Sequence, residues 1–119
     1  MGKIRRLPGG MMDPLPAYNL GRGLKTMPLR VAQHNANALA VAQALERHPQ
    51  IARVHYPGLT SHPDHVIAKS QMHGFGGVVT IDVKGGKAAA FRTFDKLKLI
   101  KRAASLGGVE RICSLPVLA

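Results

Sequence analysis

The sequence predicts an α+β domain, a short sheet with helices on one side, from three features. Residues 27–47 repeat apolar side chains at helical spacing, and residues 87–96 do so more briefly. Val78-Val79-Thr80-Ile81-Asp82-Val83 is dense in β-branched side chains, which suit a pleated backbone. Segments of the two kinds alternate as helix, strand, helix, strand, helix, strand, strand, with Gly and Pro between them.

Residues 7–16 hold Pro8, Gly9, Gly10, Pro14 and Pro16 and read as loop, so 1–16 is expected to be a linker and 17–119 the domain. Tyr18, Leu20 and Leu24 recur at roughly helical spacing, but Gly21 and Gly23 limit that helix to about Lys25. Thr26 is a suitable N-cap for a second helix over 27–47, with Pro28 in its first turn, where a missing amide hydrogen costs nothing. On that helix Val31, Ala38, Leu39, Ala42 and Leu45 form the apolar stripe. His48-Pro49 ends it, because the residue before proline is pushed out of the helical region.

Residues 51–56 alternate Ile51, Arg53, His55 against Ala52, Val54, Tyr56, the pattern of a half-buried strand closed by Pro57-Gly58. A helix follows from Ser61 or His62 to about residue 72, with Val66, Ile67 and Met72 inward. Gly74, Gly76 and Gly77 break the chain before the 78–83 strand, and Gly85-Gly86 turns it. Residues 87–96 place Ala88, Phe91 and Phe94 on one helical face, and short strands are expected at 97–100 and 111–115.

At 119 residues, 45% hydrophobic but only 4% aromatic and without Trp, the chain can build one modest core. The single cysteine, Cys113, excludes an internal disulfide and a cysteine-rich zinc cluster, and reads as a buried strand residue. No apolar run reaches a membrane span, and no apolar h-region follows Lys3, Arg5 and Arg6, so a cytoplasmic setting is expected. The net charge of +11, from 17 basic and 6 acidic residues, keeps a polyanion in view as partner. The basic residues are dispersed, however, with Lys96, Lys98, Lys101 and Arg102 the densest later group, and lack the interleaved aromatics of single-strand binders.

The chemistry-bearing candidates are few. His62-Pro63-Asp64-His65 has ligand-type residues but no third partner in sight, which favours capping and loop packing over metal. No pair stands out for acid–base work among Asp13, Glu46, Asp64, Asp82, Asp95 and Glu110. Gly74-Phe75-Gly76-Gly77 precedes a strand instead of opening a helix and lacks a Walker lysine, so it reads as a turn. Ser105-Leu106-Gly107-Gly108, a loop between two short strands with a hydroxyl and backbone amides, could meet a small carboxylate.

Five ordered motifs carry a resemblance. Pro14-Leu15-Pro16-Ala17-Tyr18, Arg22-Gly23-Leu24-Lys25-Thr26, Tyr56-Pro57-Gly58-Leu59 with Ser61-His62-Pro63, Gly74-Phe75-Gly76-Gly77-Val78-Val79 and Ser105-Leu106-Gly107-Gly108-Val109-Glu110 resemble the cystathionine γ-synthase and γ-lyase family in order and spacing, over about residues 9–116.

The resemblance implies the C-terminal small domain of the type I, aminotransferase-like fold of pyridoxal-phosphate (PLP) enzymes. It also implies a transsulfuration lyase or synthase of methionine and cysteine metabolism, acting on cystathionine, an activated homoserine or a related sulfur amino acid. Within it Ser105 corresponds to a residue that helps hold the substrate carboxylate, with Leu106 and Ala104 beside it. Many cystathionine enzymes carry a glutamate where Ala104 stands, which leaves room for methionine γ-lyase or broader cysteine and homocysteine lyase specificity. Lys25 lies after the family's Schiff-base lysine and is not that lysine. The aldimine lysine, the phosphate-binding loop and the carboxylate-clamping arginine are expected outside this chain, so no catalytic, cofactor-binding or metal residue is assigned within it. The chain is then expected to be a fragment, inactive alone, from a truncated gene, a partial reading or a decayed copy. PLP is the cofactor of the intact enzyme, which is expected to be a homotetramer without membrane or nucleic-acid partners. The alternative is a non-enzymatic basic domain that binds a polyanion or associates with a full-length relative.

Overall fold

The computed structural model describes residues 11–116; the basic residues Lys3, Arg5 and Arg6, the loop expected over 7–10, and residues 117–119 lie outside that range. Helix α1 spans Pro14–Leu24. It starts earlier than its prolines suggest, because Pro14 and Pro16 both lie in the first turn, where amide hydrogens have no intrahelical partner. Asp13 is the N-cap, and its Oδ1 accepts the Leu15 amide hydrogen at 3.0 Å. The helix buries none of its residues, and Leu15, Tyr18 and Leu24 are exposed.

Helix α2, Met27–Glu46, begins at the expected Thr26 and contains Pro28 in its first turn. The Thr26 hydroxyl does not cap an α2 amide; it donates to the Gly23 carbonyl at 3.4 Å and accepts from Arg30. Ala38 and Ala42 are buried and Leu39 and Leu45 pack beside them, as the stripe predicts. Val31, expected on that face, is exposed, because the buried line begins one turn later, at the partly covered His34 and Asn35.

Strand β1, Ile51–His55, pairs antiparallel with β2, Thr80–Val83. A bulge between Ile51 and Arg53 inserts one extra residue into β1. Its effect is visible in the burial: Val54 and Tyr56 face the core as the alternation predicts, but Ala52 is exposed and Ile51 packs inward in its place. The outer face carries His55 and Asp82, 2.7 Å apart and 36% and 58% exposed. Pairs this wet contribute little. Asp82→Asn is therefore expected to change the unfolding free energy by less than about 1 kcal/mol in a urea titration; a larger loss would show that the pair is integral to the sheet.

The core joins Ala38, Ala42, Val54, Tyr56 and Leu59, so α2, β1 and the Tyr56-Pro57-Gly58-Leu59 turn share one interior. Helix α3 is short, His65–Gln71, and begins after successive turns in which the His62 and His65 amides donate to the Leu59 and His62 carbonyls. Pro63 delays its start, since His62 before it is held out of the helical region. Val66 and Ile67, expected inward, are 77% and 55% exposed, and Met72 is exposed too. The inward line is His65 and Ala68 instead: the His65 Nδ1–H donates to the Pro57 carbonyl at 2.8 Å and its ring stacks on Phe75 at 5.7 Å, which sets the helix rotation.

Gly85, in the left-handed region at φ 93°, caps helix α4, Gly86–Lys96. Phe91 and Phe94 are half-buried as expected, but Ala89, not Ala88, is the buried alanine. The strand expected over 97–100 lies later, at β3, Lys101–Arg102, which pairs parallel with β4, Ile112–Cys113. Arg102 explains the shift. It pairs with the Asp95 carboxylate at 3.0 Å, donates to the Asp95 carbonyl at 2.9 Å and lies over the Phe94 ring, which ties β3 to the end of α4. The α+β class holds, with the strands in two separate pairs instead of one short sheet.

Candidate functional site

The candidate loop spans the nine residues between β3 and β4. Ala104, Ser105 and Leu106 lie together on it and are exposed, Leu106 to 81%. Gly107 adopts φ 82°, a left-handed conformation that a β-carbon disfavours, and so turns the chain after Leu106. Exposed Lys101, Arg102 and Arg111 flank the loop at its strand ends. The loop thus presents a hydroxyl and backbone amides, with Lys101 and Arg111 exposed at its strand ends and Arg102 paired to Asp95.

One contact from α2 reaches this loop. The Gly108 carbonyl lies 3.0 Å from His34 Nε2, and because a carbonyl only accepts, Nε2 carries the hydrogen. The next residue on α2, Asn35, accepts the Gly76 amide hydrogen at 2.7 Å through Oδ1, and the Tyr56 hydroxyl donates to the Gly76 carbonyl at 3.0 Å. Gly76 itself is left-handed, at φ 84°. Both glycine loops are therefore held by one turn of α2. Sequence reasoning overlooked His34 and Asn35, although a signal existed: His34 continues the Ala38–Ala42 line at four-residue spacing, so a polar side chain stands on the apolar face.

The other candidates have structural employment. His62 Nδ1 accepts the Asp64 amide hydrogen at 3.2 Å and His65 is engaged with Pro57 and Phe75, which is the loop packing expected of that motif, whereas the N-cap Asp64 side chain makes no capping bond. Among the described residues no three His, Cys, Asp or Glu side chains gather as a metal site. The Gly74–Gly77 loop spends the Gly76 amide on Asn35 and precedes β2, so it is a helix-to-strand turn. Cys113 is half-buried in β4, and burial pushes its thiol above the ordinary thiol value, which keeps it protonated and a poor nucleophile.

The class of protein comes first from the fold. The structure matches the crystal structure of metB from Corynebacterium glutamicum with a TM-score of 0.78 and 43% identity, over 81% of this chain and 25% of that one. It is the mixed α+β architecture of the small domain of PLP-dependent, aminotransferase-like enzymes. The chain belongs to the Cys/Met metabolism PLP-dependent enzyme family, which matches over residues 1–119. It is 46% identical over 115 residues to cystathionine γ-synthase 1, chloroplastic, of Nicotiana tabacum, across 97% of this chain and 21% of that protein. It is 44% identical over 108 residues to cystathionine γ-lyase of Dictyostelium discoideum, across 91% of this chain and 28% of that protein. The chain thus spans between a fifth and a third of the length of these relatives.

Members of this family use PLP, which needs an enclosed lysine amine and a cradle for its phosphate. The described residues do not fit that requirement on their own. Lys25, Lys69, Lys84, Lys87, Lys96, Lys98 and Lys101 all stand exposed on the surface. The concavity beside Lys25, lined by Ala17, Tyr18, Gly21 and Arg22, is one open face of α1 and encloses nothing.

Proposed function

We propose that this chain is the substrate-side portion of a PLP-dependent transsulfuration enzyme, a carbon–sulfur lyase or γ-synthase acting on cystathionine, a homoserine derivative or a related sulfur amino acid. In this reading Ser105 binds the substrate carboxylate, with Leu106 and Ala104 shaping its surroundings, and the chain alone is inactive because the Schiff-base lysine belongs to the remainder of the family enzyme. The supporting observation is the Ser105–Gly108 loop, presented to solvent between cationic strand ends and anchored to α2 through Gly108. Similarity to both a synthase and a lyase supports the coarse chemistry and leaves the particular reaction to Ala104 and its neighbours.

Two measurements test it. L-homoserine titrated into the isotope-labelled chain should move the Ser105 and Leu106 amide resonances, and Ser105→Ala should weaken that binding about tenfold, the loss of one hydrogen bond to a charged group. Equal affinities would remove Ser105 from the reading. With PLP and borohydride, mass spectrometry should find no stoichiometric adduct on a single lysine; one such adduct would overturn the reading that this chain lacks a cofactor site.

The second reading, association with a full-length relative, is favoured by α1, whose Leu15, Tyr18 and Leu24 are exposed without any buried counterpart on that helix. Co-purification with a complete subunit supports it, and a homotetrameric parent would supply the surface. A steep salt-dependent affinity for nucleic acid would instead point to the polyanion alternative. No described helix is long and apolar enough to cross a membrane. The proposal places the chain in the cytoplasm, a compartment that its lone cysteine suits.

A further inference from the structure

We propose that His34 is the positioning residue of the substrate-side loop: from α2 it fixes Gly108, and through Gly108 it sets where Ser105, Leu106 and Ala104 stand.

The loop residues 103–110 are all exposed and pack nothing into the core. Their flanking strands are only two residues long each, with the Lys101 and Ala103 amides donating to the Arg111 and Cys113 carbonyls at either end of the pair. A two-rung parallel pair is too short to hold a nine-residue connection in one conformation. Among the described residues, the side-chain hydrogen bond that joins this connection to the α2–β1 body is the 3.0 Å contact from His34 Nε2 to the Gly108 carbonyl.

His34 is itself well placed to act as a fixed donor. A β-carbon on Gly77 would lie 3.0 Å from His34 Cβ, so the bare backbone of Gly77 lets the imidazole sit against the neighbouring loop. Asn35 secures that neighbouring loop through the Gly76 amide, and Tyr56, fully buried, holds the Gly76 carbonyl. The chain of contacts therefore runs from the core through Tyr56, Gly76 and Asn35 to α2, and from His34 to Gly108.

The consequence for the site rests on the reading of Ser105 as the carboxylate contact, but the anchor itself does not, and the experiment separates the two. Backbone 15N relaxation is measured on the full chain without ligand. Amides 105–109 are expected near an order parameter of about 0.8 in the wild type and below about 0.6 in His34→Leu, with β1 and β2 unchanged. His34→Gln, which keeps an N–H donor near the Nε2 position, is expected to restore the order. Unchanged loop order in His34→Leu, or equal loss in His34→Gln, overturns the proposal. Should His34→Leu fail to fold, His34→Ala serves: it removes the donor, adds no bulk and suits the helix, and the loop should loosen in the same way. The wild-type 15N spectrum should also show the Nε2–H tautomer, and an Nδ1–H tautomer would overturn the anchor directly. L-homoserine is then titrated into the same samples: His34→Leu should bind about tenfold more weakly and His34→Gln within about twofold of wild type. Absence of wild-type binding would sink the Ser105 reading and leave the order parameters to decide His34.

Discussion

Tyr56→Ala is expected to leave the chain unfolded, or nearly so, at temperatures where the wild type is folded. Tyr56 is the largest fully buried side chain, and it stands at the meeting point of Ala38, Ala42, Val54 and Leu59. Its ring meets Phe75 edge-to-face at 6.4 Å and its hydroxyl holds the Gly76 carbonyl. Removing a buried aromatic costs about 3–5 kcal/mol, because the small neighbours cannot collapse into the space. Small domains possess only about 5–15 kcal/mol in total, and this core has few other members to compensate. Circular dichroism against urea reads the result, and a loss below about 1 kcal/mol would show that the cluster is not the core.

Tyr56→Phe separates the ring from the hydroxyl. It keeps the packing and loses one hydrogen bond, about 1 kcal/mol. It also isolates a pH effect. Burial raises the Tyr56 hydroxyl above its ordinary value of 10.0, so the folded state favours the neutral phenol. A group with a raised folded pKa contributes its full stability below the unfolded value and loses it as pH climbs towards the folded one. The wild type should therefore lose stability above about pH 10 more steeply than Tyr56→Phe does. Parallel curves would mean that the hydroxyl ionises as freely in the fold as in the unfolded chain.

Gly58→Ala should be the second large effect, by overpacking. A β-carbon there would lie 2.5 Å from Tyr56 Cε1 and 3.0 Å from Phe75 Cδ2. Neither ring can retreat, since Tyr56 is enclosed by the core and Phe75 is stacked on His65. Forcing a methyl into such a site costs about 1–3 kcal/mol, which exceeds the gain of up to about 1 kcal/mol from restricting the unfolded chain. Gly21→Ala gives the contrast: nothing lies within 4 Å and the residue is inside α1, so that substitution should stabilise slightly. The Gly58 penalty should also shrink in a Tyr56→Leu background, which keeps an apolar core residue but removes the ring edge that the methyl meets. Additive losses would show that the clash is relieved elsewhere.

Much of the candidate site is legible in the amino-acid sequence. The Ser105-Leu106-Gly107-Gly108 motif stands out by its glycines and hydroxyl, and the structure places Ala104, Ser105 and Leu106 side by side on one exposed loop. Its anchor is not legible there, because His34 and Gly108 lie 74 residues apart and nothing local to either announces the other. The prolines of α1 mislead for a different reason: Pro14 and Pro16 break a helix interior but are neutral in a first turn, and only the Asp13 cap shows which applies. In α3 the apolar Val66 and Ile67 point to the wrong face, because over two turns a part-buried histidine hydrogen bond outweighs hydrophobic spacing.

By itself the sequence determined the α+β class, the order of the elements, the apolar line of α2, the inward Val54 and Tyr56, and the family, since each depends on local periodicity, turn chemistry or ordered motifs. Only the tertiary structure decided the rotation of α3 and α4, the bulge that sends Ile51 inward, the placement of β3 at Lys101–Arg102, and the joint hold of His34 and Asn35 on two glycine loops. The physical reason is common to all four. Periodicity states how residues are spaced along an element, whereas its rotation and register are selected by partners distant in the chain, here Pro57 for α3, β2 for β1, Asp95 with Phe94 for β3, and Gly108 for His34.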